Sequence, residues 1–95
     1  MISFTVRMRF DPAELDEIRA HLEALTIASR LEPGCVNYIA HFIADDHTTV
    51  LIYEQYVNDA ALDAHRHSPH FNQHAIGGLY QGMKERHVEN LVAVA

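Results

Sequence analysis

Residues 2–14 read ISFTVRMRFDPAE, and this stretch decides how the chain folds. Apolar and polar side chains alternate over its first nine positions, which is the period of a β-strand with one buried face. The next residues begin a helix: Asp11 is the N-cap, Pro12 stands at the first helical position, and Glu14 completes a capping box. We therefore predict a strand that passes directly into an α-helix.

The predicted helix has one apolar stripe and a clear end. Its apolar residues follow one another at spacings of three and four, at Leu15, Ile18, Leu22 and Leu25. Glu32-Pro33-Gly34 ends it, because proline and glycine commonly follow a helix C-terminus. Two β-rich runs come next, Cys35–Ile43 and Thr48–Val57, and the short polar connector between them predicts a β-hairpin.

The second half of the chain repeats the pattern of a helix followed by a strand. Asn58 or Asp59 caps a helix that Ser68-Pro69 interrupts, since proline in a helix interior removes a hydrogen bond. A further helical segment follows, and Glu85–Val94 closes the chain as a strand. The order β-α-β-β-α-β predicts an α+β fold of the ferredoxin-like type, with an antiparallel sheet.

Composition limits the classes of protein to which the chain can belong. Its 95 residues make a single domain over residues 1–95, and 48% of them are apolar and 21% charged, an ordinary globular balance. The net charge of −6 argues against nucleic acid and anionic membranes as partners, since both bind basic surfaces. No signal peptide is expected, and Cys35 has no second cysteine to pair with, so we expect a reduced, cytoplasmic protein.

The predicted sheet has apolar side chains on both of its faces. In its third strand Val50, Ile52 and Tyr56 point to one side, while Leu51 and Tyr53 point to the other. One face packs against the helices, and an apolar open face requires a cover that the rest of the chain does not supply. We therefore expect a homodimer whose two sheets pack face to face.

Two charged residues, Arg7 and Glu54, stand within strand-like runs. Glu54 could be a catalytic carboxylate, but an ion pair at the dimer interface is the preferred interpretation, because buried charges are generally paired. We expect Glu54 and Tyr56 to face the partner sheet, which turns Tyr53 toward the helices.

The histidine-rich second half offers the candidate chemistry. His70 and His74 lie one helical turn apart and could chelate a divalent ion, but the proline break and the lack of an acidic ligand at matching spacing argue against a metal site. His65 lies on the apolar side of its helix beside Leu62, so its imidazole is either a general base in a cleft or a core residue. We expect Tyr53 and His65 to meet in that cleft as the catalytic pair.

Four motifs carry a resemblance to a known family. They are Glu32-Pro33-Gly34-Cys35-Val36-Asn37-Tyr38, Tyr53-Glu54-Gln55-Tyr56, Ala61-Leu62-Asp63-Ala64-His65 and Ser68-Pro69-His70-Phe71. Together they resemble the antibiotic biosynthesis monooxygenase family, in particular its quinol-monooxygenase-like and autoinducer-2-processing branches. The resemblance implies a dimeric α/β-barrel with His65 facing the pocket. His70 matches the histidine of the family's S/T-P-H motif, and Tyr53 matches a tyrosine of the autoinducer-processing branch.

The function that the resemblance implies first is a cofactor-independent monooxygenase, which oxidises a quinol or phenolic small molecule with O₂. His65 would remove a phenolic proton, and the phenolate would give an electron to O₂ directly, so that neither metal nor flavin is needed. The expected substrate-binding residues are Phe4, Val6, Met8, His70 and Phe71. Haem is not expected either, since the haem-degrading branch has an asparagine on its first strand where this chain has Val6.

Two other functions stay open at this stage. An isomerase would move a proton beside the carbonyl of a small, phosphorylated compound, with His65 and Tyr53 as the acid–base pair. Its phosphate would need basic residues, for which Lys84 and Arg86 are candidates. The third alternative is a non-catalytic, ligand-binding dimer of a stress response. Oxygen dependence separates the first two functions, and the absence of turnover in both assays favours the third.

Overall fold

The fold is built on one antiparallel sheet, which a computed structural model describes together with the rest of residues 1–95. Its strands are β1 (Ile2–Arg9), β2 (Cys35–Ile43), β3 (Asp46–Tyr56) and β4 (Glu85–Leu91), in the spatial order β2-β3-β1-β4. Each neighbouring pair runs antiparallel, and β3 lies between β1 and β2. This is the predicted ferredoxin-like arrangement.

The helical segments cover one face of the sheet. They are α1 (Leu15–Arg30), α2 (Asp59–Arg66), a π-helix (Phe71–Leu79) and the short α3 (Tyr80–Gly82). The predicted cap of α2 is present, since Oδ1 of Asn58 accepts a hydrogen bond from the backbone N–H of Ala61 at 2.9 Å. None of these helices combines the length and the apolar character needed to cross a membrane.

The start of α1 differs slightly from the prediction. Asp11 caps as expected, because its Oδ1 accepts a backbone N–H two residues further on at 2.9 Å. A 3₁₀ turn over Pro12–Glu14 comes before α1 itself. Glu14 makes no capping hydrogen bond, and its carboxylate lies beside Gly82 instead. The capping box is therefore only half formed.

One hydrophobic core lies between the sheet and the helices. Its buried members include every second residue of β1 and β3 and the stripe of α1, namely Phe4, Val6, Met8, Val50, Ile52, Tyr56, Ile18, Leu22 and Leu25. A fully buried large apolar side chain contributes about 1.5–3 kcal/mol. The core therefore decides which face of each strand turns toward the helices.

The face of β3 that carries Glu54 and Tyr56 is the inner one, so the prediction that these residues face a partner sheet is wrong. Tyr53 accordingly lies on the open face and not under the helices. Alternation could not decide between the faces, because both faces of β3 are apolar. The pairing of Glu54 with the buried Phe4 of β1 decides it.

The open face of the sheet is mixed rather than continuously apolar. A row of side-chain hydrogen bonds crosses it, from Nδ2 of Asn37 to Oε1 of Gln55 at 2.8 Å and from Nε2 of Gln55 to Oγ of Ser3 at 3.1 Å. Arg7 stands exposed on this face opposite Leu51 and has no carboxylate partner within its own chain, while Glu54 lies on the inner face. The face-to-face homodimer stays a prediction.

The interruption at Ser68-Pro69 is present as predicted. Oγ of Ser68 donates to the carbonyl of His65 at 2.6 Å and accepts the backbone N–H of Phe71 at 3.2 Å. The segment beyond it is a π-helix rather than an α-helix. Its backbone packs closely on α1 at Gly78, where a Cβ atom would lie only 2.7 Å from Nδ1 of His21. A side chain at position 78 would therefore force the His21 ring to move.

Two strand ends also differ from the prediction. β3 starts at Asp46 rather than at Thr48, because Asp46 already pairs with the end of β2. β4 ends at Leu91 rather than at Val94, because Ser3 at the start of β1 is its last pairing partner.

Candidate active site

His65 lies near the end of α2 with only 2% of its surface exposed. Leu62, one turn earlier on the same helix face, is also buried, so the amphipathic α2 turns both residues inward. Three aromatic rings surround the imidazole, with centroid distances of 5.1 Å to Tyr56, 5.9 Å to Tyr38 and 5.2 Å to Phe71. The ring points toward the sheet, as the sequence predicts.

Glu32 joins two histidines. Its Oε2 accepts one hydrogen bond from Nδ1 of His65 at 2.8 Å and another from Nε2 of His70 at 2.5 Å. An ionised carboxylate only accepts hydrogen bonds, so we assign the imidazole protons to these two nitrogens. The loop that carries Glu32 lies close to α2 because Gly34 touches Ala61, and a side chain at position 34 would clash there. Gly34 thus helps to bring the carboxylate to the histidines.

Glu54 approaches His65 from the sheet. Its Oε1 lies 3.5 Å from Nε2 of His65 and accepts a hydrogen bond from the Tyr56 hydroxyl at 2.7 Å. Burial raises the pKa of Glu54 to about 7, because the ionised carboxylate loses its hydration, while the Tyr56 hydroxyl opposes this rise. Near neutral pH the Glu54 carboxyl is therefore divided between its protonated and ionised forms.

The protonation of His65 follows from the same burial. Loss of hydration lowers the pKa of His65 below its ordinary value, although the hydrogen bond and charge of Glu32 pull it upward. The imidazole is then neutral at neutral pH, with its proton on Nδ1 and a free electron pair on Nε2. Burial also holds the pKa of the Tyr56 phenol well above its usual range, so Tyr56 remains a donor. The site is a neutral base between two carboxyl groups.

A cavity lies against this cluster and is small, about 40 Å³. Apolar residues form most of its wall, namely Phe4, Val6, Met8, Leu25, Tyr38, Ile52, Leu62, Phe71, Ala75, Leu79 and Tyr80, and the polar lining residues are Glu54, His65, Arg66 and Arg86. This volume holds a few water molecules. An aromatic substrate therefore enters only if the cavity widens.

The structure brings together some of the expected substrate-binding residues and separates others. Four of the five line the cavity, namely Phe4, Val6, Met8 and Phe71. His70 does not line the cavity and donates a hydrogen bond to Glu32. Tyr53 does not meet His65, because the two lie on opposite sides of β3. Within one chain, Tyr56 and not Tyr53 is the tyrosine linked to His65, through Glu54.

The groups that could hold a metal ion are Glu32, His65 and His70, whose ligand atoms all lie within 4.8 Å of one another. Two histidines and a carboxylate are a ligand set that zinc accepts. The same three groups also form a hydrogen-bonded set without any ion. The other spacing considered, between His70 and His74, forms no such group, since Nδ1 of His74 contacts Nδ1 of His21 at 3.0 Å.

Sequence reasoning missed Glu32 as a site residue, because it places Glu32 in the helix stop before Pro33-Gly34 and in one family motif but gives it no role. A glutamate in that position carries no local signal of function, because its partners lie 33 and 38 residues further along the chain. Glu54 was singled out as a charge within a strand, but its direction was assigned wrongly. The sequence indicates only a core or interface role for Tyr56, whose hydroxyl donates to Glu54 in the structure.

Comparison with known proteins gives one family and several similar structures. The sequence profile of the family described as "Antibiotic biosynthesis monooxygenase" matches residues 1–75. "Putative monooxygenase Rv0793" of Mycobacterium tuberculosis is 40% identical over 60 residues, which are 63% of this chain and 58% of that protein. "Uncharacterized protein sll1783" of Synechocystis is 30% identical over 66 residues, or 70% of this chain and 45% of that protein. The chain thus matches only about half of each of these relatives.

Solved structures agree over nearly the whole chain. The structure of Rv0793 superposes with a TM-score of 0.88 at 26% identity and covers 99% of this chain and 95% of its own. A "Putative antibiotic biosynthesis monooxygenase" from Bacteroides thetaiotaomicron superposes with a TM-score of 0.92 at 26% identity, covering 99% of this chain and 90% of its own. These superpositions confirm the predicted fold.

Proposed function

The chain belongs to the antibiotic biosynthesis monooxygenase family, and from this premise we propose that it is a cofactor-independent monooxygenase for a quinol or phenol. The family and the relative named as a monooxygenase support a monooxygenase-like activity in general. The finer proposal rests on one observation, the buried His65 whose Nδ1 is bound to Glu32 and whose Nε2 is free beside an apolar cavity.

The first step is removal of the phenolic proton by Nε2 of His65. The imidazole becomes an imidazolium, which the Glu32 carboxylate stabilises through the 2.8 Å hydrogen bond to Nδ1. Glu32 also fixes the tautomer that leaves Nε2 free to act as the base. His70 holds the same carboxylate oxygen from the other side and keeps it in place. Glu32 and His70 are therefore positioning residues, and His65 is the base.

The phenolate then reacts with O₂, and the substrate supplies all four electrons. One oxygen atom forms a bond to a ring carbon that loses its hydrogen, and the other leaves as water. A quinol and O₂ thus give a hydroxyquinone and water, and no further reductant is needed. The apolar wall of Phe4, Val6 and Met8 excludes bulk water from the oxygenated intermediate.

Glu54 is the second proton-transfer group in the proposal. Its carboxyl lies 3.5 Å from Nε2 of His65 and has a pKa of about 7, so both of its forms are available at neutral pH. In its protonated form it donates a proton to the oxygen that leaves as water. The Tyr56 hydroxyl, bound to the same carboxyl oxygen, keeps Glu54 directed toward the base.

An isomerase is the second candidate, and the contact between Glu54 and His65 favours it as well. A proton donor and a base 3.5 Å apart are the pair that moves a proton beside a carbonyl group. This reaction consumes no O₂. The location proposed for either enzyme is the cytoplasm, where the lone Cys35 stays reduced.

An oxygen electrode and labelled O₂ test the proposal. With a naphthoquinol as substrate we expect O₂ consumption, with one labelled oxygen atom in the product and the other in water. His65→Gln should lower the enzymatic rate by roughly 10²–10⁴-fold, the usual cost of removing an acid–base group. The control is His67→Gln, because His67 is exposed and lies outside the cavity.

The outcomes separate the candidates. Product formation that continues without O₂ would support the isomerase. An equal small effect of both histidine variants would make His65 a core residue only. His65→Gln is preferred to His65→Ala, because the side chain is nearly fully buried and its truncation would leave a cavity and two carboxyl groups without their partner.

A further inference from the structure

Two arginine side chains reach the cavity beside His65 from different elements. Arg66 ends α2 and directly follows His65 in the chain. Arg86 lies on β4 opposite the buried Met8 of β1, so its side chain is on the inner face of the sheet. Both residues are exposed, and both line the cavity together with Glu54 and His65. The opening of the cavity is thus flanked by two guanidinium groups.

Neither of these arginines is neutralised by the protein. Arg9 forms an ion pair with Glu85 at 3.2 Å, whereas Arg66 and Arg86 have no carboxylate oxygen within 4.0 Å. Both guanidinium groups therefore keep their hydrogen-bond donors available to a ligand at the cavity. The guanidinium of Arg86 lies 5.5 Å from the ring of Tyr80, another cavity-lining residue, which holds it against the wall.

The positive charges of both arginines act on the Glu54 carboxyl inside the site. Arg66 and Arg86 each lower the pKa of Glu54, although burial outweighs them. Two positive charges therefore stand close to the cavity, although the net charge of the chain is −6. An anionic ligand group would be attracted to this opening.

We propose that Arg66 and Arg86 form a subsite for an anionic group of the substrate, a carboxylate or a phosphate ester. Guanidinium groups bind both anions through paired hydrogen bonds. The aromatic part of the ligand, which rests on the proposed function, would lie against the apolar wall with its hydroxyl at His65. The subsite thus selects acidic quinols or phenols over neutral ones and fixes their orientation.

Binding without oxygen tests this subsite separately from turnover. Anaerobic titrations would compare naphthohydroquinone with its ring-carboxylated analogue and with naphthyl phosphate. We expect at least one of the two anionic probes to bind about tenfold or more tightly than the neutral probe at low salt, with the preference falling as salt rises. The better of these two probes identifies the anion.

Substitution of each arginine gives the matched controls. Arg66→Gln and Arg86→Gln should each weaken binding of the anionic probe by about tenfold and leave the neutral probe unchanged. Arg19→Gln should change neither, since Arg19 packs over Phe42 outside this cavity. The neutral probe also reports whether the variants remain folded.

Three results would overturn the subsite: equal affinity for neutral and anionic probes, equal losses for both probes in the variants, or no binding of any probe. Anionic selectivity without O₂ consumption would leave the subsite standing and remove the oxygenase proposal. Oxygen consumption without anionic selectivity would support the oxygenase proposal and remove the subsite. The two proposals therefore fail separately.

Discussion

Nε2 of His65 lies 3.5 Å from Oε1 of Glu54, while Nδ1 of the same ring is hydrogen-bonded to Glu32. One imidazole thus stands between two carboxyl groups that differ in their surroundings. Burial raises the pKa of Glu54 to about 7. Glu32 accepts hydrogen bonds from two imidazoles. Because of this difference, we assign to Glu32 the orientation of the His65 ring and to Glu54 the second proton transfer.

Glu54→Gln should change the dependence of stability on pH. The pKa of Glu54 rises from 4.5 to about 7 on folding, so folded wild-type protein binds more protons than unfolded protein between these values. Wild-type stability therefore falls as the pH rises from 4.5 through 7. Glutamine imitates the protonated acid and does not titrate. The free energy of unfolding of the variant, relative to that of wild type, should therefore rise by roughly 2–3 kcal/mol between pH 5 and pH 8.

Urea unfolding at these two pH values measures the gain. His65 titrates in both proteins and acts in the opposite direction, because the stability that comes from its lowered pKa is lost as the pH falls. Glu23→Gln, on α1 and exposed, is the control and should show no such gain. A constant difference between wild type and Glu54→Gln at both pH values would contradict the raised pKa.

Glu32→Gln should shift the pH profile of turnover to lower pH. Glu32 raises the pKa of His65 through its hydrogen bond and its charge, so its removal lowers that pKa further. The rate should still rise with pH, but through a lower midpoint. The maximal rate should fall by roughly 10–100-fold, as it does when the partner that orients a metal-bound histidine is lost.

His70→Gln is the matched variant for this experiment. It removes the other hydrogen bond to Oε2 of Glu32 but leaves the contact with His65 in place. Its effect on the midpoint should be smaller than that of Glu32→Gln. Identical midpoints in wild type and Glu32→Gln would mean that Glu32 does not act on His65.

The purified protein should contain no stoichiometric metal. Oε2 of Glu32 is within hydrogen-bond distance of both imidazoles, and a nitrogen that donates a proton there cannot bind a metal until it loses that proton. Elemental analysis of protein made without a histidine tag is the measurement. One zinc per chain in wild type, lost in His70→Ala, would instead assign a metal to Glu32, His65 and His70.

The open face of the sheet should mediate a homodimer. Leu51 and Tyr53 are half-buried apolar residues there, which a partner sheet would cover. Sedimentation at micromolar concentration should show a dimer, and Leu51→Lys should shift it toward monomer by placing a charge in the interface. Ile27→Lys on α1, where Ile27 is 66% exposed, should leave it dimeric. Sedimentation of the wild-type protein as a monomer would contradict this prediction.

The sequence could predict the elements but not every direction within them. The Asp11 cap, the stripe of α1 and the break at Ser68-Pro69 are local patterns, and the structure has all three. The inward direction of Glu54 could not be read from alternation, because β3 is apolar on both faces. It depends on the pairing with Phe4, which is not local.

The site itself was only half predictable for the same reason. His65 was found because its helix face is apolar, and its burial agrees with that pattern. The approach of Glu32 depends on the close packing of Gly34 on Ala61, and no spacing rule joins residues so far apart in the chain. The π-helix was expected as an α-helix, because apolar periodicity separates these two forms poorly.

The hydrogen bonds that Glu32 accepts from His65 and His70 also have a consequence for the order of folding. The β2–β3 hairpin joins neighbours in the chain and closes at little entropic cost, whereas the carboxylate must wait for partners 33 and 38 residues away. The cluster should thus assemble late, after the hairpin and its attached helices have collapsed. A partly folded intermediate would then contain much of the sheet but not the assembled Glu32–His65–His70 cluster. Recovery of activity would therefore report the final step of refolding.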